Sequence, residues 1–407
     1  MSLLDALSRQ ETWEAFYQYK TGLARPKDET KALRAYIDRQ AYLPVCEAIG
    51  SGAPFPLPRR AVISKLHAEK KRIVYIYPEP ENTLLKLLTW LLLRRYDGLF
   101  APGLYSFRPG RTAKDAIRSL LAVPGLGSMY AYKVDISNYF NSIDVERFLP
   151  ELERTLSDDP ALCGFLSALL QEPRVLEKGR EQTEQKGIMA GTPLSAFYAN
   201  LYLRELDWEF ISSGLPYARY SDDIILFAPT EAEMLAHAAR LRALLLARGL
   251  ALNPSKECCY SPETGWTFLG FCCRNGAIDI APATLDKLKA KMRRKTRALA
   301  RWRDRGGHTG EQAAAAFLRV FHRKLLDAPT GSELSWSSWF FSVITTTESL
   351  HSIDLYAQDC LRFLISGTRT KARYQVRYED LKALGYRSLV HAYYAHRETT
   401  EKTDLSS

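Results

Sequence analysis

The stretch Tyr217-Ala-Arg-Tyr-Ser-Asp-Asp-Ile-Ile-Leu-Phe227 decides how this chain is read. An aromatic approach leads into two adjacent carboxylates, Asp222 and Asp223, and the apolar run Ile224 to Phe227 leads away. That order predicts a strand, a tight turn and a second strand, with the acids at the turn. Like charges side by side repel, so the mouth of an apolar hairpin holds such a pair at a cost unless a cation is near. Mg²⁺ suits the place, because it takes carboxylate oxygens and leaves its other positions to water and phosphate. By itself an Asp-Asp pair is usually a solvated turn; its weight here comes from the rest of the chain.

Upstream, Ala131-Tyr-Lys-Val-Asp-Ile136 reads as a short buried strand ending in Asp135, followed by Ser137-Asn-Tyr-Phe-Asn-Ser-Ile-Asp144. Alone, Asp135 reads as readily as a helix N-cap or a strand-end turn. Beside the hairpin it completes a cluster of three carboxylates. Such a cluster is what a two-metal site for phosphoryl transfer needs, since the ions clamp the attacking and leaving oxygens.

In these motifs the chain resembles the bacterial reverse transcriptases, the group containing group II intron, retron, diversity-generating and defence-associated enzymes. The resemblance runs from about Pro58 to Phe271, with the motifs in unbroken order. Arg59 to Arg72 resembles the basic fingers segment. Leu104-Tyr-Ser-Phe-Arg-Pro-Gly-Arg-Thr-Ala-Lys-Asp-Ala-Ile117 is similar to the aromatic-Phe-Arg-Pro-Gly-Arg block, and Gly187-Ile-Met-Ala-Gly-Thr-Pro-Leu-Ser195 to the second catalytic motif. Tyr220 to Asp223 matches the signature tetrad. Leu252-Asn-Pro-Ser-Lys256 and Phe268-Leu-Gly-Phe271 resemble the two motifs that follow, the latter called the primer grip.

The resemblance implies an α+β right-hand polymerase with fingers and palm, a helical thumb, and helical N- and C-terminal additions. It implies RNA-directed DNA polymerase activity with an RNA template, deoxynucleoside triphosphates and nascent DNA as partners. Two Mg²⁺ ions, or Mn²⁺ in their place, would be held at Asp135, Ile136, Asp222 and Asp223. Phe140 falls where the family sets an aromatic wall under the sugar, a ring that clashes with a ribose 2′-OH; a core aromatic beside Tyr139 is the other reading. Lys71 and Arg72, with Lys65 and Lys70 nearby, are candidates to grip the triphosphate, since phosphate favours Lys and bidentate Arg contacts. Lys256 matches the lysine that protonates the leaving pyrophosphate. Arg108 and Arg111 are candidate nucleic-acid contacts.

One departure bears on substrate handling. The family's second motif carries Gln before Gly-x-Pro, whereas this chain has Ala190 before Gly191, and it ends in Ser195-Ala196 instead of Ser-Pro. Ala190 and Gly191 are therefore expected at the nucleotide pocket without the usual amide contact. A polymerase specialised for one cognate structured noncoding RNA fits that change.

Composition agrees. With 407 residues, 46% of them hydrophobic, the chain can bury a sizeable core divided among two or three subdomains. Its formal charge of +10 favours a polyanionic partner. Between Lys287 and Arg305 ten residues are basic and one is acidic. Leu288, Met292, Leu299 and Trp302 suit one side of a helix there, which leaves the other sides cationic. A membrane surface or a phosphate backbone would take such a helix; following a polymerase palm, it reads as the thumb, with Arg293, Arg294 and Arg297 on nucleic acid. The tail interleaves cations with tyrosines in Thr368-Arg-Thr-Lys-Ala-Arg-Tyr-Gln-Val-Arg-Tyr378, and Arg373, Tyr374 and the later Tyr386 are candidates for single-stranded RNA. An amphipathic core segment accounts for those tyrosines nearly as well.

No stretch is long and apolar enough to span a bilayer, since Lys86 interrupts Leu84 to Leu93. Met1 to Gln10 lacks the pattern of a secretory signal. Seven cysteines, four of them in the adjacent pairs Cys258-Cys259 and Cys272-Cys273, have no Cys-x-x-Cys spacing. They read as reduced and structural, which implies a cytoplasmic location.

Punctuation divides the chain into a helical extension (1–57), fingers and palm (58–276), a basic thumb helix region (277–306) and a helical thumb and RNA-binding region (307–407). Thr192 to Ile211 and Glu231 to Arg248 are predicted as helices within the palm. With no Cys-rich nuclease finger in view, the chain reads as a stand-alone enzyme of the retron or antiphage-defence kind. A non-catalytic RNA-binding or maturase-like protein, and template-independent DNA synthesis on the same palm, stay open at this point.

Overall fold

Contacts between residues divide the chain between Ser261 and Pro262, inside the 58–276 span expected for fingers and palm. The computed structural model describes residues 2–23, 27–64, 71–184, 187–327 and 336–404. Lys65 and Lys70 lie outside the described residues.

In the first unit, Met1–Ser261, the helices Gln10–Thr21, Lys27–Asp38 and Leu43–Gly50 bury Trp13, Phe16, Ile37 and Tyr42. Trp13 stacks on Tyr42 at 4.9 Å, and Phe16 meets Trp90 edge-on at 5.6 Å, which seats the extension on the helix Glu81–Arg95. That helix buries Leu84, Leu85, Leu87, Leu88 and Leu92, so it is a core helix. Among the described residues no helix is long and apolar enough to cross a membrane.

Two four-stranded sheets follow. Strands β1 (Arg59–Ser64) and β2 (Lys71–Ile76) pair antiparallel. The sheet they begin is completed, after β3 (Tyr130–Asp135), by β4 (Arg174–Glu177) and β5 (Arg180–Thr183), in the order β2-β1-β4-β5. The second sheet has the order β6-β7-β3-β8, with β6 (Tyr217–Tyr220), β7 (Asp223–Ala228) and β8 (Cys258–Tyr260). Its central strands are apolar on both faces: Ala131, Tyr132 and Val134 of β3 are buried, as is all of Ile224 to Ala228 in β7. The helix Glu231–Ala247 packs on β3 and β7 with Met234, Ala238, Leu241 and Leu245, which recur at helical spacing. Each large apolar side chain so buried contributes roughly 1.5–3 kcal/mol. Thr230 caps this helix by accepting a hydrogen bond from the Glu233 amide.

The single helix predicted from Thr192 to Ile211 is two, Ser195–Tyr202 and Arg204–Ser212. Ser195–Tyr202 is buried on all sides, whereas the second piece is amphipathic and turns Asp207 inward to a buried arginine. One straight helix does not meet both demands; the bend at Leu203 does.

The second unit, Pro262–Ser407, opens with the antiparallel strands β9 (Trp266–Phe268), β10 (Phe271–Arg274) and β11 (Ala277–Ile280). Both hairpins turn on two residues of positive φ, Leu269-Gly270 and Asn275-Gly276, as tight hairpins with right-handed twist require. Helices then run to Asp404. Pro282–Gly306 starts on a proline and stops at left-handed Gly307. Its buried face is Met292, Thr296, Leu299 and Ala300, not the face through Trp302; Trp302 is 41% exposed and stacks on His308 at 3.7 Å. Tyr386, expected as an RNA contact, is 6% exposed and donates to buried Asp354, whose carboxylate also accepts the Leu389 and Val390 amides and so caps the last helix. All seven cysteines are free.

Candidate active site

The register of β3 on β7 sets Asp135 directly opposite Asp223, and the Ile136 amide donates to the Asp222 carbonyl at 3.0 Å. Two elements far apart in sequence thus bring Asp135, Ile136, Asp222 and Asp223 to one edge of the sheet. Ser221 and Asp222 form the turn between β6 and β7, and Ser221 is left-handed, with φ at 61°. Its amide donates to Ser106 Oγ at 2.9 Å, and its carbonyl accepts from Arg219 at 3.2 Å.

Beneath this turn lies a buried polar network that sequence reading missed. Arg219 and Asp207, both 0% exposed, form a bidentate pair with N–O distances of 2.7 and 2.6 Å. Burial alone would lower the Arg219 guanidinium, but Asp207 outweighs it and holds it above its ordinary value. The Tyr217 hydroxyl donates to Asp207 at 2.8 Å, and Asn200 donates to the Ser106 carbonyl at 2.9 Å. Buried charges need this degree of satisfaction, and the network fixes the turn that carries the acids.

The lysine motif is organised by Asn253. Its amide donates to the Asp135 carbonyl at 2.8 Å, and its side-chain oxygen accepts from the Ser255 amide at 3.2 Å. The tight turn delivers Lys256 Nζ to 2.5 Å from Asp135 Oδ2. Burial disfavours the Lys256 ammonium, but the Asp135 hydrogen bond and the charges of Asp223 and Asp222 hold it above its ordinary value. Asp223 is pushed up to about 6, first by burial and then by Asp222 and Asp135, against the pull of Lys133 and Lys256.

These residues fit a divalent cation chemically. Three carboxylates share one edge, one is destabilised in its charged form by burial and by the other two acids, and an ammonium already sits on another. Among the described residues no three acid, His or Cys side chains stand close enough to cage an ion as they are, and the Lys256 ammonium occupies Asp135 Oδ2.

Phe140 follows left-handed Asn138 on the short helix Tyr139–Ser142; it is half-buried and meets Phe107 edge-on at 6.5 Å. Its carbonyl accepts from the Ile188 amide at 2.9 Å. Gly187 fits against it only without a side chain, since a Cβ there would lie 2.3 Å from the Phe140 oxygen. Ala190 is buried, with its carbonyl accepting from the Tyr75 amide at 2.9 Å and its amide donating to Asn141 Oδ1 at 3.4 Å. Gly191, at φ 101°, lies against Val74 and Tyr75 of β2. Lys71 and Arg72 are backbone members of β2.

The candidate nucleic-acid contacts divide. Arg108 is corrected: it is 8% exposed, and its guanidinium is committed to both Asp97 oxygens at 2.7 and 3.0 Å and to the Ala101 and Leu104 carbonyls. It shapes the loop and has no donor edge to offer an RNA. Arg111 bonds the Pro102 carbonyl at 2.7 Å and leans over Tyr105. In the second unit, Arg293 and Arg297 are exposed and Arg294 is half-exposed. Arg373 pairs with Asp359 at 3.3 Å, and Tyr374 is 85% exposed.

The chain matches the family described as reverse transcriptase (RNA-dependent DNA polymerase) over residues 65–273, just over half its length. It belongs to the reverse transcriptase family. Its mixture of helices and strands is the right-hand α+β fold of that family. The chain is 23% identical to the retron Ec86 reverse transcriptase of Escherichia coli over 229 residues, covering 55% of this chain and 65% of that protein. It is 25% identical to the group II intron-encoded protein LtrA of Lactococcus lactis subsp. cremoris over 185 residues, 44% of this chain and 30% of LtrA. The matches thus span less than two thirds of either relative. Among solved structures it is similar to apo telomerase from Candida tropicalis (TM-score 0.47, 10% identity, 80% of this chain and 60% of that one). It is also similar to Candida albicans telomerase in complex with a fragment of telomeric RNA (TM-score 0.45, 11% identity, 82% and 66%). Neither score reaches 0.5, so neither carries an argument about this chain.

Proposed function

We propose that this protein is an RNA-templated DNA polymerase whose reaction centre is the edge formed by Asp135, Ile136, Asp222 and Asp223. The observation that carries the reading is the register that sets Asp135 opposite Asp223, with Asp223 pushed up to about 6. Two divalent ions, Mg²⁺ or Mn²⁺, would be held by those three carboxylates with Ile136 beside them, and would supply neutralisation of the charge that develops on the phosphoryl oxygens. The Arg219–Asp207 network holds the turn in place before substrate arrives. Once off Asp135, the Lys256 ammonium is within reach of the same edge to give its proton to the leaving pyrophosphate. Phe140 would stand against the sugar and exclude a 2′-OH by bulk, with Ala190 and Gly191 lining the nucleotide's other side and Lys71 and Arg72 on its phosphates.

The template we assign is a dedicated structured noncoding RNA, and the setting a bacterial antiphage defence. Ala190 in place of glutamine supports the first, because a pocket short of one generic contact draws more of its specificity from the RNA. Likeness to a retron enzyme supports both.

Primer extension on RNA tests the centre. Asp222→Ala combined with Asp223→Ala is expected to lower deoxynucleotide incorporation by about 10³-fold or more, the loss of several kcal/mol of transition-state stabilisation. Fold and RNA binding should persist, since removal of the acids relieves repulsion. Near wild-type extension by the double variant would overturn the assignment. Equal incorporation with and without template would make the enzyme an untemplated polymerase.

A further inference from the structure

The helices Pro282–Gly306 and Glu348–Ser366 and the segment 367–374 enclose a cleft of about 450 Å³. Arg293 enters from the first helix, Arg362 from the second, and Arg369, Lys371 and Arg373 from the segment, against one carboxylate, Asp359. Asp359 is already neutralised by Arg362 at 3.4 Å and Arg373 at 3.3 Å. Among the described residues no carboxylate lies within ion-pair distance of Arg293, Arg369 or Lys371. Arg369 is instead spread over the Phe363 ring at 4.8 Å. Burial raises the Tyr356 hydroxyl in the same cleft, while the charges of Arg293, Arg369 and Arg297 pull it down. Tyr374, with its ring 85% exposed, stands at the rim.

Concavity separates this cleft from an ordinary basic surface. A convex cationic helix follows a duplex backbone, but a duplex, whose major groove alone is about 12 Å wide, does not enter so small a space. The volume falls within the roughly 300–1,000 Å³ of small-molecule sites. Convergent cations without partners ask for phosphate, and an exposed ring beside them asks for a base.

We propose that this cleft is a second nucleic-acid site, which takes one unpaired nucleotide of a single strand, its phosphate on Arg293, Arg369 and Lys371 and its base on Tyr374. The inference rests on the reading of this chain as a nucleic-acid enzyme, but not on polymerisation at the palm. It is tested by point changes, because the residues beyond Gly367 include core positions such as Leu389 and Tyr393.

The probe is a non-self-complementary 12-nucleotide strand carrying 4-thiouridine in RNA, or 4-thiothymidine in DNA, offered singly or as a blunt duplex. The protein is the full chain with Asp222→Ala and Asp223→Ala, so that synthesis does not contribute. Irradiation followed by peptide mass spectrometry is expected to place the single-strand crosslink within 356–374. Adding Arg369→Ala with Lys371→Ala, or Tyr374→Ala, should reduce that crosslink about tenfold, with the melting temperature unchanged because these side chains are exposed. Crosslinking by RNA alone, by DNA alone or by both identifies the strand. Single-strand crosslinks only outside 356–374, or equal yield from the duplex, would overturn the proposal. Active Asp222→Ala/Asp223→Ala protein would overturn the palm assignment and leave this one standing.

Discussion

Asp207 grips Arg219 with both of its oxygens, and neither side chain reaches solvent. The pair sits under the turn that carries Asp222 and Asp223, so the position of the acids depends on a contact made behind them. Asp207→Asn leaves a buried guanidinium without its counter-charge. The expected cost is about 3–5 kcal/mol of unfolding free energy, read from urea titration. Arg219→Met with Asp207→Leu should cost less than Asp207→Asn alone. A loss below 1 kcal/mol for Asp207→Asn would mean the pair is not what holds the turn.

Asp223 gives the stability of the metal-free protein a pH dependence of definite sign. Its folded pKa of about 6 lies above its ordinary 3.8, so between those values the native state binds more protons than the unfolded chain. Its favourable contribution is complete below the unfolded value and is lost as pH rises through about 6. With a chelator present, stability at pH 7.5 should be lower than at pH 5 by about 1.4 kcal/mol from this group. Asp223→Asn should flatten that part of the curve. Identical pH profiles for the two proteins would remove Asp223 as the source.

Phe140→Ala should raise ribonucleotide use relative to deoxyribonucleotide use by about tenfold, equivalent to roughly 1.4 kcal/mol of lost discrimination. The ratio of kcat/KM values for the two sugars is the measurement. Because Phe140 is half-buried and its backbone carries the Gly187 loop, the melting temperature should be followed alongside. An unchanged ratio makes the ring a packing element only.

Lys256→Met separates two roles. Without the ammonium on Asp135, Mg²⁺ should bind more tightly, as titration calorimetry would register. Single-turnover extension should nevertheless slow by roughly 10²-fold if the lysine is the general acid. Slower extension with weaker Mg²⁺ binding would contradict the competition between ammonium and ion.

Much of this was legible in the sequence, for local reasons. The strand, turn and strand around Asp222 follow from apolar patterning within a few residues, and Asn253-Pro254 announces the turn that brings Lys256 round. Arg219 and Asp207 were not legible, because each sits in an ordinary local pattern and only the bend at Leu203 points one at the other. Arg108 misled because a motif supplies a residue type but not the direction of its side chain; Asp97 decides that. Tyr386 misled similarly, as its hydroxyl belongs to the cap on the last helix. The convergence of Arg293 with Arg369 and Lys371 depends on helix packing that no spacing rule encodes.

Ser221 carries a last consequence. What the turn takes from this residue is an amide, a carbonyl and a left-handed backbone, all supplied by the main chain. The position therefore selects for conformation and not for a functional group. Glycine, asparagine and aspartate enter that region readily, whereas β-branched side chains are strained there. Tolerance at 221 should accordingly sort by shape, next to two acids where chemistry permits almost no exchange.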